Sequence, residues 1–302
     1  MASSILVVGS SNTDMVIKTA KFPVPGETIL GGEFFMFPGG KGANQAVAAS
    51  RLGGKVTLLA KVGDDIFGKQ ALEQFRNEGI DTTFTITDRK NPSGTALITV
   101  DGKGENTIVV AQGANGTLSP ADLQHVEKEI NKYDILLIQL EIPMETVRHA
   151  TSLASKNKKK VILNPAPAAS LPEEIFKDLY LITPNESETE ILTGIAVKTK
   201  DDAKAAAIKF TEKGVAHVVI TLGSEGAYLF SEGEGSLIPV PKVKAVDTTA
   251  AGDVFNGALA VAISEGHSLK DAVSFANQAA AISVTRMGAQ SSAPYRNEIK
   301  NI

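Results

Sequence analysis

From Ser119 onward, apolar runs of strand length alternate with segments of helical periodicity, and this alternation restricts the fold more than any other feature. Ser119–Asn131 reads as a helix opened by Ser-Pro, a cap followed by proline at the first helical position. Ile135–Gln139 reads as a strand, Pro143–Ser155 as a helix, and Val161–Asn164 and Leu179–Thr183 as further strands. Asp201–Lys213 is helical in pattern, His217–Leu222 strand-like, and Ala227–Phe230 with Ser236–Val240 a hairpin. Two long helices, Asp253–Glu265 and Leu269–Arg286, close the pattern. Strands joined through helices pair in parallel, and their crossovers cover both faces of the sheet. The expected class is therefore α/β, a parallel sheet sandwiched by helices.

The first third of the chain keeps this plan and interrupts it twice. Ser4–Gly9 is a short apolar run suited to a buried parallel strand. Gly39–Gly54 opens with glycines and becomes an Ala-rich helix, Lys55–Val62 is strand-like, and Phe67–Asn77 is an amphipathic helix. The interruptions are β-prone: Met15–Ala20 with Ile29–Phe37, then Thr95–Val100 and Asn106–Ala111 across the turn Asp101–Gly104. They predict one small β-sheet lid, inserted from about 13–38 and 91–112 into a single domain spanning 1–302. Its strands would carry exposed edges and the apolar residues Phe34, Phe35 and Phe37, a liability that pairing with another lid would relieve.

Composition narrows the function. A net charge of −4 argues against nucleic acid or an anionic membrane as partner, and the absence of tryptophan against a base-stacking platform. With no cysteine there is no disulfide, thiolate metal site or cysteine nucleophile, which is compatible with a reducing compartment. The apolar run Ile5–Val8 is too short for a signal peptide or a membrane span, so a cytoplasmic location is expected.

The stretch with the most chemistry is Ala245–Leu259, AVDTTAAGDVFNGAL. A strand-like approach, Pro239–Val246, runs into small residues at the opening of a helix. The first N–H groups of a helix lack intrahelical partners, and with the helix dipole they form an anion site. A carboxylate in such a turn would repel a bound phosphate. The conflict resolves if Asp253 is a general base facing a hydroxyl, while the amides of Ala250, Ala251 and Gly252 receive the charge of a transferring phosphoryl group. An N-capping aspartate would account for the same residues.

Other motifs are less specific. GGKGAN (Gly39–Asn44) fits an anion or polyol site, or a tight turn with close helix packing. SSNTD (Ser10–Asp14) follows a strand, where Asn and Asp also form turns. Thr183–Glu188 places Asn185 and Glu188 three residues apart at a helix start, which suits either indirect binding of hydrated Mg²⁺ or a capping arrangement. Thr221–Gly226 is a nucleotide-contacting loop or a hairpin. GDDIFGKQ (Gly63–Gln70) misses the Walker pattern, since Gln70 replaces the hydroxyl residue and Asp64 and Asp65 stand where phosphates would lie. The four histidines have no ligand spacing.

The order of these motifs, from SSNTD to GAQSSAPYR (Gly288–Arg296), resembles the carbohydrate kinase family that includes ribokinase, fructokinase and adenosine kinase. GGKGANQA and DTTAAGDVFNGAL carry the likeness most specifically. The resemblance implies a Rossmann-like α/β body with a β lid over the sugar, and transfer of the ATP γ-phosphoryl group to a sugar, D-ribose at its 5-hydroxyl. Other implied acceptors are fructose, deoxyribose or a nucleoside; a catalytically idle sugar-binding regulator would not need Asp253. By position, Asn12, Asp14, Gly40, Lys41, Asn44 and Glu141 would contact the sugar, with Asp253 as base and Gly252 in the anion hole. Asn185, Thr221, Gly223, Ser224, Gly226 and Asn277 would line the ATP site, and Glu188 would act on Mg²⁺ indirectly. Asp247, Thr249, Ser283, Arg286, Gly288 and Ser292 fall on positions for an activating K⁺, most through backbone oxygens. The same resemblance implies a homodimer through the lid.

Overall fold

A computed structural model describes residues 4–299. In chain order, β1 (Ser4–Val8) leads to β2 (Asn12–Lys18), β3 (Glu33–Gly39) and α1 (Lys41–Arg51). Next come β4 (Lys55–Leu59), β5 (Lys61–Gly63), α2 (Ile66–Asn77), β6 (Ile86–Asp88), β7 (Gly94–Val100) and β8 (Asn106–Ala111). The regular half runs through α3 (Gln124–Glu129), β9 (Ile135–Ile138), α4 (Met144–Lys156), β10 (Lys160–Leu163), α5 (Glu173–Phe176) and β11 (Leu181–Ile182). It ends with α6 (Glu186–Thr193), α7 (Lys200–Glu212), β12 (His217–Thr221), β13 (Ala227–Ser231), β14 (Glu234–Ile238), α8 (Ala251–Ser264) and α9 (Leu269–Ser283).

Eight strands form the main sheet in the order β14-β13-β12-β11-β10-β9-β1-β4. All pairings are parallel except those of the β12-β13-β14 meander. Alternate residues of each strand point to opposite faces. Ile5, Val7, Ile135, Leu137 and Ile162 pack with alanine-rich α1, α8 and α9, whereas Leu6, Val8, Leu136, Ile138 and Leu163 pack with α4 and α7. Such two-sided burial is what the unbroken apolar runs require. Sequence order reverses at β1, which lies between β4 and β9; crevices at such a switch point, beyond the carboxyl ends of the strands, hold ligands.

The sheet β3-β2-β7-β8 is separate, with β2 and β7 parallel and the outer pairs antiparallel. Asp14, Phe35, Phe37 and Ala96 share one face by register. Ile17, Phe34, Met36, Leu97 and Val109 share the other, where all five are exposed.

Three segments differ from the sequence expectation. Lys55–Val62 is divided at Ala60: β4 pairs with β1, whereas β5 leaves the main sheet to pair with β6. Ser119–Asn131 is three short pieces, a 3₁₀ turn at Pro120–Leu123, then α3, then a 3₁₀ turn at Ile130–Lys132. Pro239–Val246 forms no strand. Pro239 and Pro241 have no N–H for a ladder, and Val243 and Val246 are exposed. No described helix is long and apolar enough to cross a membrane.

Candidate active site

The carboxyl ends of β1, β9, β10 and β11 meet the openings of α1, α6 and α8. Gly40 turns β3 into α1 with φ 88°, a conformation that glycine adopts without steric cost, and so presents the first turn of α1 to Glu141. There the Lys41 N–H donates to Glu141 Oε2 at 2.9 Å, and the Ser10 hydroxyl donates to the same oxygen at 2.5 Å. Gly257 lets α8 approach α1 closely, since a Cβ there would lie 2.7 Å from the Gln45 carbonyl oxygen. That approach puts Asp253 against α1. Asn44 Nδ2 donates to Asp253 Oδ2 at 2.9 Å and Gln45 Nε2 to Asp253 Oδ1 at 3.0 Å.

Asp253 is 6% exposed and does not cap α8; Ala250 holds that position at φ 59°. Burial pushes its carboxyl above the ordinary range, against the Lys41 charge and the two amide donors. Asp14 is pushed up to about 6, first by burial and then by the charges of Glu141 and Asp253. Burial and the Asp253 charge also raise Glu188, against its hydrogen bond from Asn185 and the Lys41 charge. Lys41 itself is held protonated: burial opposes its charge, but Asp253, Glu141, Glu188 and Asp14 outweigh that and raise it. Four carboxylates thus act through their charge on one ammonium group.

On one side of Asp253 lies the cluster of Asn12, Asp14, Gly40, Asn44 and Glu141 beneath the small sheet. Asn12 Oδ1 already accepts from Asn115 Nδ2 at 2.8 Å, which leaves the Asn12 amide hydrogens to be presented as donors. Asn44 Oδ1 is buried without a partner among the described residues, an acceptor available to a ligand donor. On the other side is a cavity of about 760 Å³, lined by Asn185, Glu188, Thr221, Gly223, Ser224, Gly226, Gly252 and Asn277, with Lys41 and Asp253 at the boundary. Its volume is within the range of pockets that bury a whole organic ligand. Asn277 Nδ2 donates to the Ile238 carbonyl at 2.9 Å, which fixes its side chain at the wall.

The anion-binding turn differs in one detail from the sequence expectation. The Ala251 N–H is engaged by the Thr248 carbonyl at 3.2 Å, whereas those of Ala250, Gly252 and Asp253 have no acceptor among the described residues. Asn185 and Glu188 form a capping box at α6: Asn185 Oδ1 accepts from the Glu188 N–H at 2.8 Å, and Glu188 Oε2 from the Asn185 N–H at 2.9 Å. Capping and a metal role are compatible, because the second Glu188 oxygen keeps its lone pairs beside the cavity.

Asp247 receives the Thr249 N–H and hydroxyl on Oδ1 at 2.9 and 2.6 Å, and the Gly288 N–H on Oδ2 at 2.8 Å. Burial disfavours its charge, yet these bonds hold the carboxyl below the ordinary range. It has no ion-pair partner among the described residues. The carbonyl oxygens of Thr249, Arg286 and Gly288 accept no bond among those residues, whereas the Ser283 carbonyl is taken by the Arg286 N–H. The hydroxyls of Ser283 and Ser292 turn to the Ala280 and Ala289 carbonyls, and the Arg286 guanidinium pairs with Glu298. An anion without an ion-pair partner beside free carbonyls is an oxygen donor set of the kind that hard cations take.

Gln45, Asn115, Gln139, Asn164, Thr183 and Asn256 were not singled out from sequence, yet all are buried around the cluster. Gln45, Thr183 and Asn256 stand inside motifs quoted above, where nothing separates them from ordinary polar residues; Asn115, Gln139 and Asn164 stand outside them.

Helix amides at a cavity of nucleotide size, beside a carboxylate able to take a hydroxyl proton, meet the needs of phosphoryl transfer to an alcohol. The class that fold and site define is a small-molecule kinase. The chain belongs to the pfkB family carbohydrate kinases, whose profile matches residues 2–296. It is 46% identical over 298 residues to a ribokinase of Haemophilus influenzae, covering 99% of this chain and 97% of the relative. A deoxyribokinase of Salmonella typhi is 39% identical, with 96% and 95% covered. The structure of Arabidopsis thaliana ribokinase complexed with ribose and ATP superposes with a TM-score of 0.93 at 32% identity, covering 98% of this chain and 97% of that one.

Proposed function

We propose that this chain is an ATP-dependent ribose kinase, which transfers the γ-phosphoryl group to the 5-hydroxyl to give ribose 5-phosphate and ADP. The observation that carries the reading is the place of Asp253, buried between the polar cluster under the small sheet and the nucleotide-sized cavity. Asn12, Asp14, Gly40, Lys41, Asn44 and Glu141 hold the sugar, and the acceptor hydroxyl gives its proton to Asp253 as its oxygen attacks in line. The free N–H groups at the opening of α8 face the charge on the transferring group; Ala251 joins them only by releasing Thr248. Asn185, Thr221, Gly223, Ser224, Gly226 and Asn277 line the nucleotide. Glu188 would hold Mg²⁺ through water, and an ion bound there with ATP would neutralise phosphate charge. A coupled ADP-release assay across ribose, deoxyribose, fructose and adenosine tests the reading, and ribose should give the highest kcat/KM.

Asp247, Thr249, Arg286 and Gly288, with Ser283 and Ser292 nearby in sequence, would hold K⁺, whose charge there would offset that of Asp247 and help to order the turn before α8. Activity should rise as K⁺ is added at fixed ionic strength to a buffer free of K⁺ and Na⁺; a flat titration would remove the site.

The raised Asp14 sets a pH dependence. An ionised Asp14 accepts from sugar hydroxyls, and below about 6 it is protonated and loses one acceptor site. The KM for ribose should therefore climb as pH falls through about 6, with the KM for ATP steady. The same shift has a stability sign. The folded chain binds this proton more tightly than the unfolded one, whose carboxyl titrates near 3.8. The ionised group then costs stability fully above about 6, partly in the window below it, and not at all below about 4. Asp14→Asn should raise the Tm at pH 7.5 and leave it unchanged at pH 3.5.

The outward face of the small sheet, with Ile17, Phe34, Met36, Leu97 and Val109, supports a homodimer through the lid. Light scattering at micromolar concentration should give a dimer mass, and Leu97→Glu with Val109→Glu should give a monomer. A wild-type monomer would discard the idea. A cytoplasmic location is compatible with this chemistry, because ATP is the donor.

A further inference from the structure

Behind Asp253 runs a chain of buried amides, of which Gln45 and Gln139 do not line the cavity. Gln139, just past β9, donates from Nε2 to Gln45 Oε1 at 2.6 Å. Gln45 Nε2 uses its two hydrogens on Asp253 Oδ1 and Asn164 Oδ1, both at 3.0 Å. Gln45 and Gln139 are both fully buried. Every polar atom of the Gln45 amide is therefore committed, and its orientation is not arbitrary. Turned over, it would set its oxygen against the Asp253 carboxylate and the Asn164 oxygen, and its hydrogens against the Gln139 NH₂ group.

Gln139 has a cost attached. Its Oε1 is buried without a partner among the described residues and lies where a side chain at Gly9 would be. A leucine of similar size would avoid that orphan acceptor, and an unmade buried hydrogen bond is a net loss to stability. What leucine could not supply is the donor to Gln45.

Resting on the reading that Asp253 is the base, we propose that Gln45 and Gln139 are positioning residues for it. Gln139 fixes which end of the Gln45 amide meets the carboxylate, and Gln45 holds that carboxylate in the rotamer that faces the acceptor hydroxyl. Around Asp253 stand Lys41 and Asn44 on α1, Glu141 after β9, Glu188 on α6 and Asp14 on β2. Of these, Lys41 and Asn44 favour the ionised form, and the three carboxylates oppose it. A lost Gln45 donor is therefore felt as an upward move of the Asp253 titration.

The test compares Gln45→Met, Gln139→Leu and the double variant. Gln45→Met should lower kcat about ten- to a hundredfold, the worth of a hydrogen bond to a charged group, with the KM for ATP within about twofold. The acid limb should move up by about one pH unit. Gln139→Leu should do the same to a smaller degree; it removes one orphan acceptor but strips Gln45 Oε1 of its donor, so its Tm should lie at or below that of wild type. The double variant should lose no more than Gln45→Met alone, since Gln139 acts only through Gln45. Should Gln45→Met fail to fold, Gln139→Leu decides alone. A ¹³C carboxyl titration of Asp253, assigned by difference against Asp253→Asn, needs no turnover. It therefore decides this inference even if wild type proves to phosphorylate no sugar, a result that would instead defeat the functional reading. Wild-type turnover with an unmoved Asp253 titration in Gln139→Leu, or losses that multiply in the double variant, would overturn the proposal.

Discussion

Asp253→Asn is expected to lower kcat by about 10²–10⁴-fold, the usual worth of a positioned general base, and to leave the binding of ribose and ATP near wild type. The shape is conserved by the change; the Asn oxygen still accepts from Gln45, and its new NH₂, which would oppose the Asn44 donor, is accommodated if Asn44 turns its oxygen to accept from it. What disappears is the acceptor for the hydroxyl proton. Burial raises the Asp253 carboxyl, which makes it a better base as long as Lys41 and the two amides keep it ionised. Isothermal titration of both ligands with single-turnover kinetics separates the two effects. Turnover near wild type in this variant would remove Asp253 from the mechanism.

How much of this could be read from the chain depends on whether the cause was local. The βα alternation was legible because two-sided burial writes unbroken apolar runs into β1, β9 and β10, and one-sided burial writes a stripe into α4 and α7. The divided segment at Ala60 was not legible. Leu59 and Val62 are equally buried, and only the exchange of partner from β1 to β6 separates them. The three pieces around α3 bury Leu123, Val126, Ile130 and Tyr133, a spacing that α and 3₁₀ turns both satisfy.

The site shows the same division. Asp253, Gly40 and Asn185 stand at chain turns, where backbone geometry limits the residue types and so leaves a trace in sequence. Gln45 and Gln139 are joined across 94 positions, and Asn115 reaches Asn12 across 103. Each partner alone looks like an ordinary polar residue. The packing of α1 on α8, where Gly257 meets Ala48 and the Gln45 carbonyl, brings Asn44 and Gln45 to Asp253. Those other two pairs meet only once the sheets and the loops beyond them are assembled.

Ribose should be preferred over 2-deoxyribose by about ten- to a hundredfold in kcat/KM. Asn12 and Asp14 leave β2 on the face beneath which the sugar is proposed to sit. Asn12 Oδ1 is taken by Asn115, so Asn12 offers hydrogens and an ionised Asp14 offers lone pairs. A donor beside an acceptor matches two neighbouring hydroxyls, the 2,3-edge of a furanose. Without the 2-hydroxyl, the buried Asn12 or the half-buried Asp14 loses a partner beneath the closed sugar site; for a charged group this costs about 1.5–3 kcal/mol. Similarity to a deoxyribokinase as well as to ribokinases makes the comparison decisive for this chain. Asn12→Met should weaken ribose more than deoxyribose and so narrow the gap. The fold should tolerate it, since Asn115 Nδ2 keeps its bond to the Ser11 carbonyl at 3.0 Å. Equal kcat/KM for the two sugars in the wild-type protein would show that Asn12 and Asp14 do not read the 2,3-edge.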